Sequence, residues 1–146
     1  GYNVAELRAE IGHILGIDNG HRLIIIGAGH LGHALLQNFD FEKVGFQVDS
    51  AFDVSPALID TQIRGVTIRA MDQLADYVAR YQPNVAVLTV PQNVAQPLAD
   101  QLIGLGIRGF WNFTNVELSS PNPDVQFENI HFADSLLTLS YRIANH

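Results

Sequence analysis

Three glycines near the start of the chain have the spacing of a phosphate-binding turn. Gly27, Gly29 and Gly32 form a G-x-G-x-x-G pattern that follows an apolar run at 22–26 and opens a helical pattern at 30–38. In such turns the first glycine makes the tight bend, the second lets the backbone approach phosphates, and the third lets the helix pack closely on the sheet. The free N–H groups at the helix start favour an anion. The pattern therefore predicts a site for the pyrophosphate of a dinucleotide.

A carboxylate follows the second predicted strand, at 45–52. Asp53 comes after Gly32 at the spacing of ~20 residues at which an acidic residue accepts hydrogen bonds from the adenosine ribose. Its charge would also repel a 2′-phosphate, so we expect the site to favour NAD(H) over NADP(H). The alternative interpretation of Asp53 is a turn residue at a strand end, before Ser55 and Pro56.

Strands and helices alternate along the rest of the chain. Further elements are predicted, in chain order, at 66–69, 71–81, 85–90, 91–106, 109–113 and 125–130. The continuous apolar run at 85–90 is typical of a parallel strand that is covered on both faces. This alternation predicts an α/β fold, a Rossmann-type doubly wound and mostly parallel sheet. A chain of 146 residues, 47% of them hydrophobic, is long enough for one such domain.

The two ends of the chain are expected to lie outside this central unit. Residues 1–16 are predicted to be a connecting helix, which a capping box of Asn3 and Glu6 opens. Residues 17–130 form the Rossmann domain, and 131–146 form a C-terminal helix with two apolar faces. Such a helix needs two surfaces to pack against. It either lies in a groove of its own domain or inserts into a partner subunit as a domain swap, and the residue pattern leaves both open.

Composition excludes several classes of protein. The net charge of −7, with only 8 Lys and Arg, argues against a nucleic-acid surface on this chain. The absence of cysteine excludes disulfides, thiolate metal sites and cysteine nucleophiles, and we expect no bound metal. No apolar run approaches the ~20 residues that cross a bilayer, so we expect a cytoplasmic protein with no membrane partner. The chain does not begin with Met, and we expect it to be part of a longer protein.

A residue for catalysis is missing from the pattern. An oxidoreductase of this fold needs a group that exchanges the substrate proton. Of the 6 histidines, only His131 follows a strand end, where open α/β sheets hold ligands. A nucleotide pocket without a catalytic group predicts a binding protein and no enzyme. Two alternatives stay open, an NAD-dependent oxidoreductase with His131 as its base and a CoA- or nucleotide-binding Rossmann module.

The whole chain resembles the cofactor-binding and dimerisation region of Rex, the bacterial redox-sensing transcriptional repressors. The matching segments run in the same order and lie at 2–4, 14–16, 26–35, 51–56, 88–91, 109–113 and 128–136. The resemblance implies a homodimer whose C-terminal helix crosses into the partner, which favours the domain swap. It implies contact with operator DNA only through an N-terminal winged-helix domain that is missing here. It also implies that NADH changes the angle between subunits and releases the operator, whereas NAD⁺ competes without forcing that change.

The glycine pattern and the resemblance together give the residues expected to bind NADH and NAD⁺. They are Gly27, Ala28, Gly29, His30, Leu31, Gly32, Asp53, Val54, Thr89, Val90, Pro91, Asn112 and Phe132. The family often has Asn where this chain has His30. We expect Thr89–Pro91, the loop with Phe39 and Phe41, and Phe132 of the partner subunit to line the nicotinamide, although ordinary core packing is the alternative for the phenylalanines.

This predicted lining offers apolar surface and no carboxylate. Desolvating the cationic ring of NAD⁺ there costs more than desolvating the neutral ring of NADH. A preference of ~10²-fold for NADH corresponds to only about 2.7 kcal/mol.

Overall fold

The computed structural model describes residues 20–27, 29–130 and 132–144, with side chains of the last segment described from residue 138 onward. The predicted helix at 1–16, Ala28, His131 and the side chain of Phe132 therefore lie outside the described part. The strands are β1 (His21–Ile26), β2 (Phe46–Asp53), β3 (Gln62–Ile63), β4 (Val66–Ala70), β5 (Val85–Leu88), β6 (Gly109–Asn112) and β7 (Gln126–Asn129). The helices are α1 (His30–Asn38), α2 (Leu74–Tyr81), α3 (Gln92–Gly104) and α4 (Phe132–Ala144).

The strands form one sheet in the order β3-β4-β2-β1-β5-β6-β7. All pairs are parallel except β3 with β4. The chain winds outward from β1 to β4 and then crosses back to β5, so the direction of winding reverses between β1 and β5. Open α/β sheets bind ligands at the carboxyl ends of the strands at such a point. The predicted doubly wound, mostly parallel sheet is confirmed.

The core lies on both faces of the two central strands. In β1, Ile24 and Ile26 pack on the side of α2 and α3, whereas Leu23 and Ile25 pack on the side of α1. The residues of β5 alternate in the same way between the two clusters, and all of them are buried. Removing each large aliphatic side chain from water contributes about 1.5–3 kcal/mol. This burial on both faces explains why both strands are continuous apolar runs in the sequence. It also holds the carboxyl ends of β1 and β5 in place, and the site lies there.

Several elements differ from the sequence prediction. The antiparallel β3 was not predicted, because it has only two residues and joins β4 through a tight turn at Arg64 and Gly65, both with positive φ. The helix expected at 71–81 begins as a 3₁₀ turn, Met71–Gln73, before α2. The strand expected at 85–90 ends at Leu88, since the next two residues form the connection to α3.

The predicted C-terminal helix is present as α4, and its described side chains, 138–144, are all exposed. They include three large apolar residues, Leu139 at 51%, Tyr141 at 72% and Ile143 at 68% exposed. This part of the helix does not lie in a groove of its own domain. Within the part of the chain that the structure describes, none of the helices combines the length and the apolar character needed to span a membrane.

Candidate functional site at the carboxyl ends of β1, β2 and β5

The glycine turn begins directly after β1. Gly27 has φ of 90°, in the left-handed region that favours glycine, and its N–H donates to the carbonyl oxygen of Phe52 at 2.8 Å. A Cβ atom at Gly27 would lie only 2.8 Å from the carbonyl oxygen of Thr89. The first glycine of the pattern is therefore required by both backbone conformation and space, as predicted.

The other two glycines differ in what surrounds them. A Cβ atom at Gly32 would collide with the carbonyl oxygen of Gly27, so the third glycine allows α1 to begin against the turn. By contrast, apart from the residues adjacent to it in the chain, no described atom lies within 4 Å of the Cβ position of Gly29. Packing does not require a glycine there, so the small residue leaves space in front of the turn.

The start of α1 borders this space. Gly29 is the N-cap residue, no described side chain caps the helix, and its first turn carries no acidic residue. Uncapped N–H groups at a helix start are donors that water or an anion must satisfy. His30 is exposed and Leu31 is half-buried at this position. Together with the open space at Gly29, this arrangement fits a phosphate group.

Asp53 is the last residue of β2 and is 9% exposed. One of its carboxylate oxygens accepts a hydrogen bond from the N–H of Ser55 at 2.8 Å. The turn interpretation of Asp53 is thus confirmed, but it does not use up the carboxylate, which has about four acceptor positions. The neighbouring Val54 is 78% exposed. Asp53 therefore places a negative charge at the carboxyl end of β2, where the ribose role requires it.

Thr89 joins the end of β5 to the glycine turn. Its hydroxyl donates to the carbonyl oxygen of Gly27 and also lies 3.1 Å from that of Ile26, while its N–H donates to Ile26 at 2.9 Å. Val90 is half-buried against the core on the side of α2 and α3, and Pro91 is the exposed N-cap residue of α3. The segment at 89–91 therefore lies beside the turn, as the sequence predicts.

Asn112 has a local role that the sequence did not reveal. It is 1% exposed, and its amide nitrogen donates to Asn129 Oδ1 and to the carbonyl oxygen of Val116. Its Oδ1 accepts from both the N–H and the hydroxyl of Thr114. Since these bonds occupy the whole side-chain amide, Asn112 holds the loop after β6. Its contact with a cofactor stays a prediction.

The phenylalanines expected near the nicotinamide pack beneath α1. Phe41 is 5% exposed and belongs to the core on that face, and the half-buried Phe39 packs against it with ring centroids 4.8 Å apart. Both rings also contact Trp111 edge-on, at 5.3 and 6.2 Å. Ordinary core packing, the alternative interpretation, accounts for Phe41.

Two ionisable groups among the described residues have raised pKa values. Arg22, near the start of β1, donates from Nε to Asp49 at 2.7 Å, and this hydrogen bond is the main cause that raises the pKa of Arg22. Burial, followed by the charge of Asp49, raises the pKa of Tyr77. Among the residues that the structure describes, no group of His, Asp and Glu is arranged to hold a metal ion. The described chemistry of the edge is therefore hydrogen bonding and charge.

Comparisons with known proteins agree with this geometry. Residues 18–116 match the family model described as the CoA binding domain. The chain is 42% identical over 143 residues to the redox-sensing transcriptional repressor Rex of Thermoanaerobacter sp. (strain X514), a match that covers 98% of this chain and 63% of that protein. Its identity to the Rex repressor of Clostridium botulinum (strain Hall / ATCC 3502 / NCTC 13319 / Type A) is 44% over 140 residues, with coverage of 96% and 66%. The chain thus spans about two thirds or less of the length of these relatives.

Solved structures show the same similarity. RSP, a Rex-family repressor, has a TM-score of 0.80 and 41% identity, and the match covers 99% of this chain and 69% of the RSP chain. RSP has also been solved with β-NADH, at a TM-score of 0.80, and with β-NAD⁺ and operator DNA, at 0.81. UDP-D-quinovosamine 4-dehydrogenase from Vibrio fischeri, at 19% identity and a TM-score of 0.54, shares the fold alone.

Proposed function

Because the chain belongs to the Rex family of redox-sensing transcriptional repressors, we propose that it is the NADH- and NAD⁺-binding core of a cytoplasmic repressor. The observation that carries the proposal is the glycine turn, closed by backbone contacts at Gly27 and Gly32 and open at Gly29. A related repressor, RSP, has been solved with each of the two dinucleotides. The bound nucleotide signals the redox state, and the chain performs no turnover.

Different residues at the carboxyl ends of the strands, which we call the carboxyl edge, bind different parts of the dinucleotide. The pyrophosphate lies over Gly29 at the start of α1, where uncapped N–H groups and the positive end of the helix dipole favour an anion. The adenosine ribose donates to Asp53. The nicotinamide lies beside Thr89, Val90 and Pro91, with Phe132 of the partner subunit on its other side. Because this segment has apolar surface and no carboxylate, NADH binds more tightly than NAD⁺.

A dimer allows nucleotide binding to change the relative position of two subunits, and the exposed helix α4 supplies its contact. Three large apolar side chains of α4 are exposed in the single chain, and water contact with them costs about 25 cal/mol per Å² of apolar surface. We therefore assign 131–146 to a swapped dimerisation helix, 17–130 to the Rossmann domain and 1–16 to the connection with a winged-helix domain that binds operator DNA. RSP has been solved with operator DNA.

The switch requires a difference in affinity between two dimer geometries. A ligand that binds both equally shifts neither, and moving the population from 1:99 to 99:1 takes ~10⁴-fold tighter binding to one of them. NADH therefore has to stabilise one relative position of the subunits, and NAD⁺ must fail to do so.

Titration calorimetry with NADH, NAD⁺, NADPH and CoA tests the nucleotide assignment. We expect the tightest binding for NADH, weaker binding for NAD⁺ by ~10²-fold, and weak binding for NADPH. CoA binding more tightly than NADH would instead support the second candidate, a CoA-binding module, which the description of the family model favours. Incubation with NAD⁺ and a panel of alcohols and hydroxy acids tests the oxidoreductase alternative, for which sustained NADH production is the signature.

The dimer assignment has its own test in α4. We expect Leu139→Glu and Ile143→Glu to shift the protein from dimer to monomer in light scattering, because each places a charge in the apolar contact. Thr138→Glu, on the opposite side of the same helix, is the matched control and should leave the dimer intact. All three positions are exposed in the single chain, and circular dichroism checks that each variant folds. A dimer that tolerates both apolar-to-charge changes would contradict the assignment.

A further inference from the structure

Two asparagines end the last two strands and are bonded to each other. Asn112 and Asn129 are register partners in β6 and β7, and Asn112 Nδ2 donates to Asn129 Oδ1 at 2.7 Å. Asn129 Oδ1 also accepts from the N–H of Leu118 at 3.3 Å. The main chain adds a bond from the N–H of Ile130 to the carbonyl oxygen of Asn112 at 2.9 Å. We call this pair, Asn112 and Asn129, the asparagine clasp.

The asparagine clasp stands directly before α4. Asn129 is the last residue of β7, and α4 begins at Phe132. The connection between them is thus only two residues long, and this length limits how far the base of the helix can lie from the end of β7. The described side chains of α4, at 138–144, are exposed, and the asparagine clasp lies where the chain leaves the sheet for this helix.

On its other side, the asparagine clasp is tied to the glycine turn. The N–H of Phe113 donates to the carbonyl oxygen of Leu88 at 2.9 Å, and Leu88 is the register partner of Asn112. Thr89 follows Leu88 and binds Ile26 through its N–H and Gly27 through its hydroxyl. Hydrogen bonds between residues that are neighbours along the chain therefore connect the glycine turn, through the ends of β5 and β6, to the end of β7, two residues before α4.

Burial makes this connection stiff. The side chain of Asn112 is 1% exposed and fully hydrogen-bonded. Leaving one buried polar group without its partner costs about 1–3 kcal/mol. The ends of β6 and β7 therefore cannot shift independently without losing the bonds between them.

We propose that Asn129 is a positioning residue that transmits nucleotide binding at the glycine turn to α4, the helix that forms the subunit contact. The identity of the ligand rests on the proposed function, whereas the mechanical link between the asparagine clasp and α4 does not depend on it. It assigns to the asparagine clasp the coupling between the site and the dimer, and it assigns no ligand contact to Asn129.

Hydrogen exchange in the full chain tests this assignment with three variants. Asn129→Ala removes the acceptor, whereas Asn129→Asp keeps an oxygen for Asn112 Nδ2 and for Leu118. Thr114→Val is the matched control, since it removes a 2.6 Å bond to Asn112 Oδ1 and leaves the asparagine clasp in place. Amide exchange over residues 132–139 is measured with and without NADH, and calorimetry gives the Kd for NADH on the same samples.

We expect NADH to slow exchange in α4 of the natural chain, of Asn129→Asp and of Thr114→Val. In Asn129→Ala, exchange without ligand should be faster by about tenfold, and NADH should no longer slow it, while the Kd stays within about threefold. Rescue by the aspartate variant separates loss of the acceptor from a general loss of packing. Asn129→Ser is the smaller change to use if the alanine variant does not fold.

Two results would overturn the inference. One is an alanine variant whose α4 responds to NADH as the natural chain does. The other is a rise in Kd that fully accounts for the lost response, since Asn129 would then act at the site itself. If the natural chain binds no NADH, the proposed function fails, but exchange measured without ligand still tests the link between the asparagine clasp and α4. Equal α4 exchange in Asn129→Ala and Asn129→Asp would exclude this link. Faster exchange in the alanine variant alone would support it.

Discussion

The two halves of the carboxyl edge use hydrogen bonds in opposite ways. In the nucleotide half, formed by the glycine turn, Asp53 and Thr89, backbone contacts are tight, but the space at Gly29 is open and α1 has no side-chain cap. In the asparagine half, formed by Asn112, Thr114 and Asn129, the polar groups of the central side chain are all bonded within the protein. A half that keeps free donors can offer them to a ligand, whereas a half that uses its donors within the protein holds the ends of β6 and β7 together.

The largest effect should come from breaking the tight contact in the nucleotide half. We expect Gly32→Ala to lower the free energy of unfolding by at least about 3 kcal/mol, because its methyl group collides with backbone that cannot move aside. Gly29→Ala should lower stability much less than Gly32→Ala does, because no collision awaits its methyl group, yet it should weaken NADH binding about tenfold by filling the space at the turn. Urea unfolding and calorimetry measure the two quantities.

This pair of glycine variants separates packing from binding. Equal loss of stability in both would show that Gly29 also serves the fold. Unchanged NADH affinity in Gly29→Ala would mean that the ligand does not bind in the open space at Gly29.

In the asparagine half, the loss should appear in stability. We expect Asn112→Ala to lower the free energy of unfolding by about 2–3 kcal/mol, because it leaves the buried N–H of Thr114 and the half-buried carbonyl oxygen of Val116 without their partner. Asn93→Ala, at an exposed position of α3, is the matched control and should change stability by less than about 0.5 kcal/mol. Equal unfolding midpoints for the two variants would mean that the buried amide is not a structural element.

The sequence predicted the glycine turn of the nucleotide half but not the hydrogen bonds of the asparagine half, for a physical reason. Gly27, Gly29 and Gly32 act through the local backbone, so their spacing along the chain carries the information. The bond between Asn112 and Asn129 depends on the register of two strands that are separated by a long loop, and no local pattern encodes it. The only available signal was an asparagine at each of two successive strand ends.

Other differences follow the same rule. The end of β5 at Leu88 depends on a hydrogen bond between Thr89 and a distant turn, and an apolar run cannot reveal it. The burial of Phe41 depends on its contact with Trp111 in another strand. Sequence periodicity gave the order and type of the main strands and helices because these depend on neighbours close in the chain.

Asp53 tests whether charge in the nucleotide half selects the ligand. We expect Asp53→Ala to reduce the preference for NADH over NADPH by at least about tenfold, or about 1.4 kcal/mol, because the repulsion of the 2′-phosphate is lost. Asp53→Asn removes the charge but keeps an oxygen for the N–H of Ser55. Both variants should therefore accept NADPH, while only the alanine variant should lose stability. An asparagine variant that still rejects NADPH would leave Asp53 with its turn role alone.

The smallest effect is expected at Thr89, where the two halves meet. Thr89→Val keeps the shape but loses the hydroxyl bond to Gly27, so we expect a loss of about 1 kcal/mol in stability and about threefold weaker NADH binding. Thr89→Ser keeps the hydroxyl and should behave as the natural chain does in both measurements. Because the residue before Thr89 accepts the bond from Phe113, the valine variant should also weaken the response of α4 to NADH. If that response is unchanged, the two halves communicate by a route other than the edge of the sheet.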